Sequence, residues 1–135
     1  MFSYTSLYKQ LGNLFYAVAK ADKQITIAEK NAMVELVRYF WKHLEDSTDS
    51  YGTDAANIIL FQFDVNEENS TAPEKAFRQF EQFFAANAGS INHYLREKIM
   101  NSARRIASST RFTNHDEMEM LLRLKSLLGI PIGAI

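Results

Sequence analysis

The residues in this chain that come closest to a known kind of site lie around Asp64. Asp64, Asn66 and Glu68 occupy the first, third and fifth positions of a calcium-binding EF-hand loop. In such a loop a glycine makes the turn at the sixth position and a glutamate chelates the ion at the twelfth. Asn69 and Lys75 stand at those two positions here. A cation in place of the chelating carboxylate would repel calcium, so the segment does not predict an EF-hand.

A second pair with the spacing of metal ligands is His115 and Glu119. They lie one helical turn apart, and two ligands of one metal ion can use that spacing. The sequence places no third ligand beside them, so an exposed polar helix face is the favoured interpretation. The chain also lacks a glycine-rich phosphate loop and a serine that a histidine could activate. We therefore expect no enzymatic activity and no resident cofactor.

DNA binding by a helix–turn–helix is another function that the residue types bring to mind. The helix predicted to begin after Thr26 carries Lys30 and Arg38 on its polar face, but Glu29 and Glu35 lie among them. A recognition helix usually offers more cations to the phosphates. The whole chain has a net charge of −1. The sequence therefore predicts a protein that does not bind nucleic acid.

A helix–elbow–helix pattern that would position these residues occurs twice in the sequence, 87 positions apart. The first copy reads Asp22, Ile25, Thr26 and Glu29, and the second reads Ser109, Phe112, Thr113 and Asp116. In each copy a threonine is followed three residues later by an acid, which is the pattern of a capping box at a helix start. Each copy therefore predicts an elbow between two helices, and together they predict an all-α fold of two related halves.

Apolar residues at three- and four-residue spacing predict the helices themselves. The predicted helices run from Tyr4 to Ala21, from Thr26 to about Asp46, from Asp54 to Val65, from Pro73, from Ser90 as its cap, and from about Asn114 to Leu128. The stretch from Asp54 to Val65 would also suit a buried strand, but a lone strand would have no partner for its hydrogen bonds. Helix is therefore preferred there.

Two apolar segments invite a functional interpretation but favour packing. Phe77, Phe80, Phe83 and Phe84 fall on one face of the helix after Pro73, and such a stripe is more often core than ligand box. The helix that Ser90 is predicted to cap runs through the apolar residues Ile91, Tyr94, Leu95, Ile99, Ala103 and Ile106. The tail from Ile130 onward is expected to fold back onto the core.

Length and composition are those of one domain covering residues 1–135. The chain is 47% hydrophobic and contains no cysteine, which excludes disulfide scaffolds and thiolate metal sites. It shows neither a secretory signal nor an apolar run of the roughly 20 residues that span a membrane. We therefore expect a cytoplasmic protein that does not insert into membranes.

Charge is distributed unevenly along the chain. Residues 43–74 hold eight acids and no lysine or arginine, whereas residues 75–135 hold nine bases and five acids. The acidic middle could attract cations or a basic partner. Solvated loops and helix N-termini are the favoured interpretation of these acids.

The segment LFYAVAKADKQITIAEKNAMVELV, residues 14–37, resembles the tellurite-resistance TerB family and the related N-terminal domain of DjlA-type co-chaperones. The residues that carry the resemblance are Ala19, Ala21, Asp22, Lys23, Thr26 and Glu29. The segment ARRIASSTRFTNHDEMEMLLRL looks like the family's degenerate second copy. The resemblance implies a TerB-like bundle of six or seven helices with pseudo-two-fold symmetry, in a bacterial, stress-linked interaction module.

The resemblance also implies an acidic, metal-binding surface at the elbows, which would use Asp22 and Glu29 here. Two departures from the family pattern weaken this implication. Lys23 replaces the usual glycine, and Ser109 replaces the acid of the second copy, which leaves Asp116 alone. Hard cations are held by the number and charge of their oxygen ligands. Glu29 is moreover explained by its capping role.

Three functions follow from the sequence. The main hypothesis is a non-enzymatic interaction domain that binds an unidentified protein partner, linked to stress or tellurite resistance. The alternative is a divalent-cation-binding domain using Asp22 and Glu29. The third is a helical bundle that binds a small ligand or lipid in its phenylalanine-rich core.

Overall fold

The fold is an all-α bundle of six helices, seen in a computed structural model that describes residues 2–21, 24–42, 54–109 and 115–130. The helices are α1 (Tyr4–Lys20), α2 (Ile27–Leu36), α3 (Asn57–Glu68), α4 (Pro73–Asn87), α5 (His93–Ala107) and α6 (His115–Leu128). A π-helical turn (Val37–Trp41) continues α2, and a 3₁₀ turn (Ala88–Ser90) follows α4. Helical residues make up 82% of those described, and these contain no strand. None of the described helices is long and apolar enough to cross a bilayer.

Helix α1 is the centre of the bundle. Every side chain from Leu11 to Ala19 is buried, including the polar Asn13. A helix that is buried all round must be covered on each side, and α3, α4, α5 and α6 all contact it. Gly12 permits the closest approach, because a Cβ there would lie 2.6 Å from the Cβ of Gln62 and 2.7 Å from the carbonyl oxygen of Ile59.

The helix predicted from Asp54 to Val65 is confirmed as a helix, but it begins and ends three residues later. It therefore contains Asp64, Asn66 and Glu68, and the EF-hand comparison fails on backbone geometry as well as on ligand type. The turn begins at Asn69 and includes Ser70 in the left-handed region at φ 52°. Pro73 opens α4 as predicted. The predicted stop of the second helix near Asp46 lies outside the described residues.

The predicted cap of α5 is wrong, and one apolar residue of the predicted pattern lies outside the core. Ser90 does not cap the helix; it lies in the 3₁₀ turn, and the Asn92 side chain accepts the hydrogen bond from the Leu95 N–H at 2.9 Å. Tyr94 does not face the core, since 62% of it is exposed. Leu95 and Ile99 are buried. Tyr94 belongs to the apolar pattern only because it is an aromatic residue. The buried face of α5 is formed by Leu95 and by the residues one helical turn further on, such as Ile99.

The two halves are related by an offset of 88 residues, not 87. Glu29 is the third residue of α2 and Glu117 is the third residue of α6, and both are buried, whereas Asp116 is exposed. The same offset pairs further buried positions: Leu7 with Leu95, Leu11 with Ile99, Phe15 with Ala103, and Val18 with Ile106. The predicted pairing of Glu29 with Asp116 is therefore corrected by one residue. Packing is reciprocal too, because α1 contacts α6 and α5 contacts α2.

The end of α6 follows the sequence prediction. Leu121, Leu124 and Leu128 are buried, and Gly129 ends the helix with φ 71°, a conformation that glycine adopts without strain. Ile130 is buried against the core. Residues 131–135, the rest of the predicted apolar tail, lie outside the described part.

Candidate functional site

The first elbow is built as a capping box, as predicted. The Thr26 N–H and hydroxyl donate to Oε1 of Glu29 at 2.8 and 3.1 Å, and the Glu29 N–H donates to Oγ1 of Thr26 at 3.1 Å. These bonds satisfy backbone donors that a helix start leaves free. Glu29 is therefore accounted for by the fold. Asp22, the other predicted cation ligand, lies outside the described residues, so the predicted site at Asp22 and Glu29 stays a prediction.

In the part that the structure describes, the acid of the second elbow shares a cleft with two other acids, Glu74 and Glu119, and with Arg123. Asp116 is exposed and lines a shallow cleft with Ala21 and Glu74. Glu74 is engaged there by both terminal nitrogens of Arg123 at 2.8 Å, and this pair lowers the pKa of Glu74. Among the described residues no three potential ligands come together to hold a metal ion. Thr113, the predicted cap, is not among them.

The histidine pair also lies on the surface. His115 Nε2 is 3.8 Å from a carboxylate oxygen of Glu119, and both side chains are largely exposed. This is the exposed polar face that the sequence favours for these residues. Among the residues that the structure describes, no third ligand joins this pair to hold a metal ion.

The phenylalanine stripe of α4 is used for packing. Phe77 and Phe80 are fully buried, and Phe80 stacks on Phe84 with ring centroids 6.3 Å apart. Phe83 is half-buried and meets the edge of Phe2. The stripe therefore contributes to the core, as the sequence favours.

A groove lies between the π-helical turn and α5. It encloses about 540 Å³, and its lining includes Leu36, Phe40, Tyr94, Lys98, Asn101 and Arg105. Ligand sites in proteins commonly enclose about 300–1,000 Å³. The groove is thus large enough to receive several side chains of a partner.

The π-helical turn shapes this groove. It carries Trp41 inward, where the indole N–H donates to the Ser102 hydroxyl at 3.1 Å, and it leaves Tyr39 and Phe40 exposed. The Ser102 hydroxyl in turn donates to the carbonyl oxygen of Lys98 at 2.8 Å. π-Helical turns are rare and often occur at functional sites. Here the turn is tied to α5 by a buried hydrogen bond, which fixes the two walls relative to each other.

Cations lie over the aromatic rings of the groove. The Lys98 ammonium is 5.6 Å from the ring centroid of Phe40, 5.3 Å from that of Trp41 and 5.8 Å from that of Tyr94. The Arg105 guanidinium is 4.7 Å from the Phe40 centroid. Cation–π attraction of this kind holds flexible side chains over the rings. The groove therefore presents positive charge on an aromatic floor.

A second groove of about 370 Å³ adjoins the first, between α5 and α6. Its lining includes Met100, Arg104, Met118, Leu122 and Lys125. Arg104 and Ser108 line both grooves. We call the two grooves together the α5 face.

The α5 face is apolar and positively charged. Lys98, Arg104, Arg105 and Lys125 supply four cations, against one acid, Glu97, among the described residues that line the grooves. Partial burial lowers the pKa of Arg104, although a guanidinium remains charged at neutral pH. Tyr94, Met118 and Leu122 are 62%, 47% and 59% exposed. Sequence reasoning missed this face; its signal is the excess of bases after residue 75 together with apolar residues that the helix periodicity turns outward.

No protein-family model, curated protein or solved structure matches the chain. The resemblance to the TerB family therefore stays a prediction, and the chemistry of the α5 face rests on its own geometry.

Proposed function

We propose that this chain is a non-enzymatic interaction domain that binds another protein through the α5 face. The observation that carries the proposal is the coincidence of exposed apolar side chains with four cations around two adjoining grooves. Soluble proteins rarely leave large apolar side chains clustered in water unless a partner covers them. The face also has the residue types that dominate binding energy at interfaces, namely aromatic residues, methionine and arginine.

The composition of the α5 face favours a protein over nucleic acid as the partner. Nucleic-acid surfaces depend on many phosphate contacts from cations spread along a backbone track. On the α5 face the cations border apolar pockets formed by Phe40, Met118 and Leu122. Those pockets suit apolar side chains, and the net charge of −1 gives no general attraction to a polyanion.

We further propose a TerB-like, bacterial, cytoplasmic setting linked to stress or tellurite resistance. The support is the elbow motif of residues 14–37, together with the capping box that the fold builds from Thr26 and Glu29. This part of the proposal concerns the pathway and is separate from the docking surface.

Binding of a small ligand is the second candidate, and the size of the first groove favours it. A volume of about 540 Å³ lies in the range of small-molecule sites. This candidate shifts the ligand from the phenylalanine-rich core, where the sequence places it, to the surface groove. It differs from the main proposal in expecting no protein bound over Tyr94.

Site-specific photo-crosslinking in intact cells tests the proposal. A photoreactive phenylalanine analogue replaces Tyr94 in one variant and Phe61 in a matched control. Phe61 is an exposed aromatic residue of α3 and lines neither groove of the α5 face. The expected result is a crosslinked protein at position 94, little crosslinking at position 61, and loss of the product when Arg105→Glu is added. Equal crosslinking at both positions, or none at position 94, would contradict the proposal.

A further inference from the structure

We propose that the partner contributes an α-helix with an apolar stripe flanked by acids, and that this helix lies along α5. The inference rests on the proposed function, since it names the class of partner for the same surface. The two halves of the fold are related by a repeat, and in the first half a helix covers the positions equivalent to this face.

Three residues of α1 have equivalents in the repeat that lie on the α5 face. With the offset of 88 residues, Gly12, Asn13 and Tyr16 correspond to Met100, Asn101 and Arg104. All three α1 residues are buried. Met100 and Arg104 line the second groove, and Asn101 and Arg104 line the first.

On α1 these positions are covered by a helix. Gln62 of α3 lies against Gly12, the Asn66 side chain donates to Oδ1 of Asn13 at 2.8 Å, and the ring of Phe63 meets Tyr16 edge-on at 5.7 Å. Within the described part of the chain, the equivalent positions of α5 border open grooves: Asn101 is exposed and Arg104 is partly exposed, whereas Met100 lines the second groove but is itself buried. Two of the three positions that a helix covers on α1 are thus at least partly exposed on α5, with no helix of the described residues over them.

The charges on the two faces differ, and they specify the occupant. Tyr16 and Ala17 of α1 are replaced at the equivalent positions by Arg104 and Arg105 of α5. Opposite charges across an interface favour the right partner and penalise wrong ones. A helix bearing acids beside its apolar stripe would meet these guanidinium groups, whereas a basic helix would be repelled.

The apolar requirements match an amphipathic helix. Phe40 and Tyr94 border one groove, and Met118 and Leu122 border the other, on opposite sides of Arg104. A helix about 10 Å wide presents side chains three and four residues apart on one face. Such a helix can place one apolar residue in each groove and acids over Arg104 and Arg105.

A second copy of this chain is the rival occupant, because α3 has an outward face of this kind. Phe61, Asp64 and Glu68 are exposed at three- and four-residue spacing, and α3 contains no lysine or arginine. Docking of that face onto α5 of another copy would be a head-to-tail contact, which gives rings or filaments. We favour a separate partner protein, since a single exposed aromatic on α3 would fill only one of the two grooves.

Peptide binding tests the inference. The probe is a designed fluorescent helical peptide with leucine and phenylalanine on one stripe and glutamate elsewhere. One control has the same composition in scrambled order, and a second has lysine in place of glutamate. The acidic amphipathic peptide should bind at least about tenfold more tightly than either control. Arg105→Glu should weaken its binding about tenfold, whereas Arg78→Glu on the exposed side of α4 should not change it.

The outcomes separate this inference from the proposed function. Equal binding of the acidic and scrambled peptides would overturn the helix, and equal binding of the lysine peptide would overturn the acidic character. If either result occurs while position 94 still crosslinks to a protein, the inference fails and the proposed function stands. If position 94 also gives no crosslink, both fail. Concentration-dependent self-association that Phe61→Glu and Arg105→Glu each abolish would make the occupant a second copy and overturn the inference.

Discussion

Helices α1 and α5 are equivalent in the repeat, but one of them is covered by other helices where the other is exposed. Their buried positions repeat at an offset of 88 residues, so Leu11 and Ile99 hold equivalent places in the core. Asn13 and Asn101 are also equivalent and are the same residue type, yet Asn13 is fully buried and Asn101 is exposed. The difference is the covering helix: α3 and α4 cover α1 at this point, and in the described residues α5 borders open grooves.

The comparison teaches how one face serves stability while its equivalent is free to serve binding. On α1, the side-chain amide of Asn13 donates to Gln10 and Gln79 at 2.9 and 3.1 Å, while its oxygen accepts from Asn66. A buried polar network of this kind specifies one arrangement of helices because every member needs its partner. On α5 the equivalent region carries cations and apolar pockets instead, which are interface features.

The largest expected effect concerns the close approach of α1 and α3. Gly12→Val should lower the free energy of unfolding by about 3 kcal/mol, because the added carbons collide with Gln62 and with the backbone of Ile59. The equivalent change on α5, Met100→Val, causes no such collision and should cost only about 1 kcal/mol, through the buried volume that is lost. Urea denaturation of the two variants measures both values. A neutral Gly12→Val would mean that the two helices are not packed closely.

The asparagine pair gives the most closely matched comparison. Asn13→Ala should cost about 2 kcal/mol, because it leaves the buried amide of Asn66 without its acceptor. Asn101→Ala should lie within about 0.5 kcal/mol of the wild type, as surface substitutions usually do. The free energies of unfolding of the two alanine variants test this. Similar costs at both positions would remove the contrast between the faces.

The elbows test the register of the repeat. Thr26→Ala should cost about 1 kcal/mol through loss of the cap. At the second elbow, Glu117→Ala should be as destabilising as Glu29→Ala, because both remove a buried third residue of a helix. Asp116→Ala should change stability by no more than about 0.5 kcal/mol. Chemical denaturation measures the free energies of unfolding of these variants. A larger loss for Asp116→Ala than for Glu117→Ala would support an offset of 87 residues instead.

The smallest effect is expected from divalent cations. Bound Ca²⁺ or Mg²⁺ would stabilise the fold by about 2.7 kcal/mol at a hundredfold excess over its dissociation constant. We expect no shift in melting temperature at millimolar concentrations, because Glu29 already accepts from Thr26. A rise in melting temperature that Asp22→Asn abolishes would place a binding function at the first elbow. The first half of the fold, not the second, would then carry the binding site.

Local signals in the sequence predicted most of the fold. The Thr26 and Glu29 box, Pro73 at the start of α4 and Gly129 at the end of α6 act over a few residues, so their types suffice. The predictions were wrong where two nearby residues of similar type could take the same place in the fold. Asn92 caps α5 although Ser90 is also a capping type, and Glu117 takes the buried place although Asp116 is also acidic.

The candidate site could not be read from the sequence for a different reason. The exposure of a helix face depends on which other helices pack against it, and Asn13 and Asn101 show that residue type alone does not decide this. The α5 face also joins residues from the π-helical turn, α5 and α6, which are distant in sequence. Only the tertiary fold brings Phe40 and Leu122 to the two sides of Arg104.

Thiol labelling at the asparagine pair tests the central claim most directly, because the chain has no cysteine of its own. In the purified protein, Asn101→Cys should react as fast as the exposed control Ala85→Cys, while Asn13→Cys should stay protected. In intact cells that express the chain naturally, Asn101→Cys should react much more slowly than Ala85→Cys, because the partner covers it. Equal labelling of Asn101→Cys and Ala85→Cys in those cells would contradict the account.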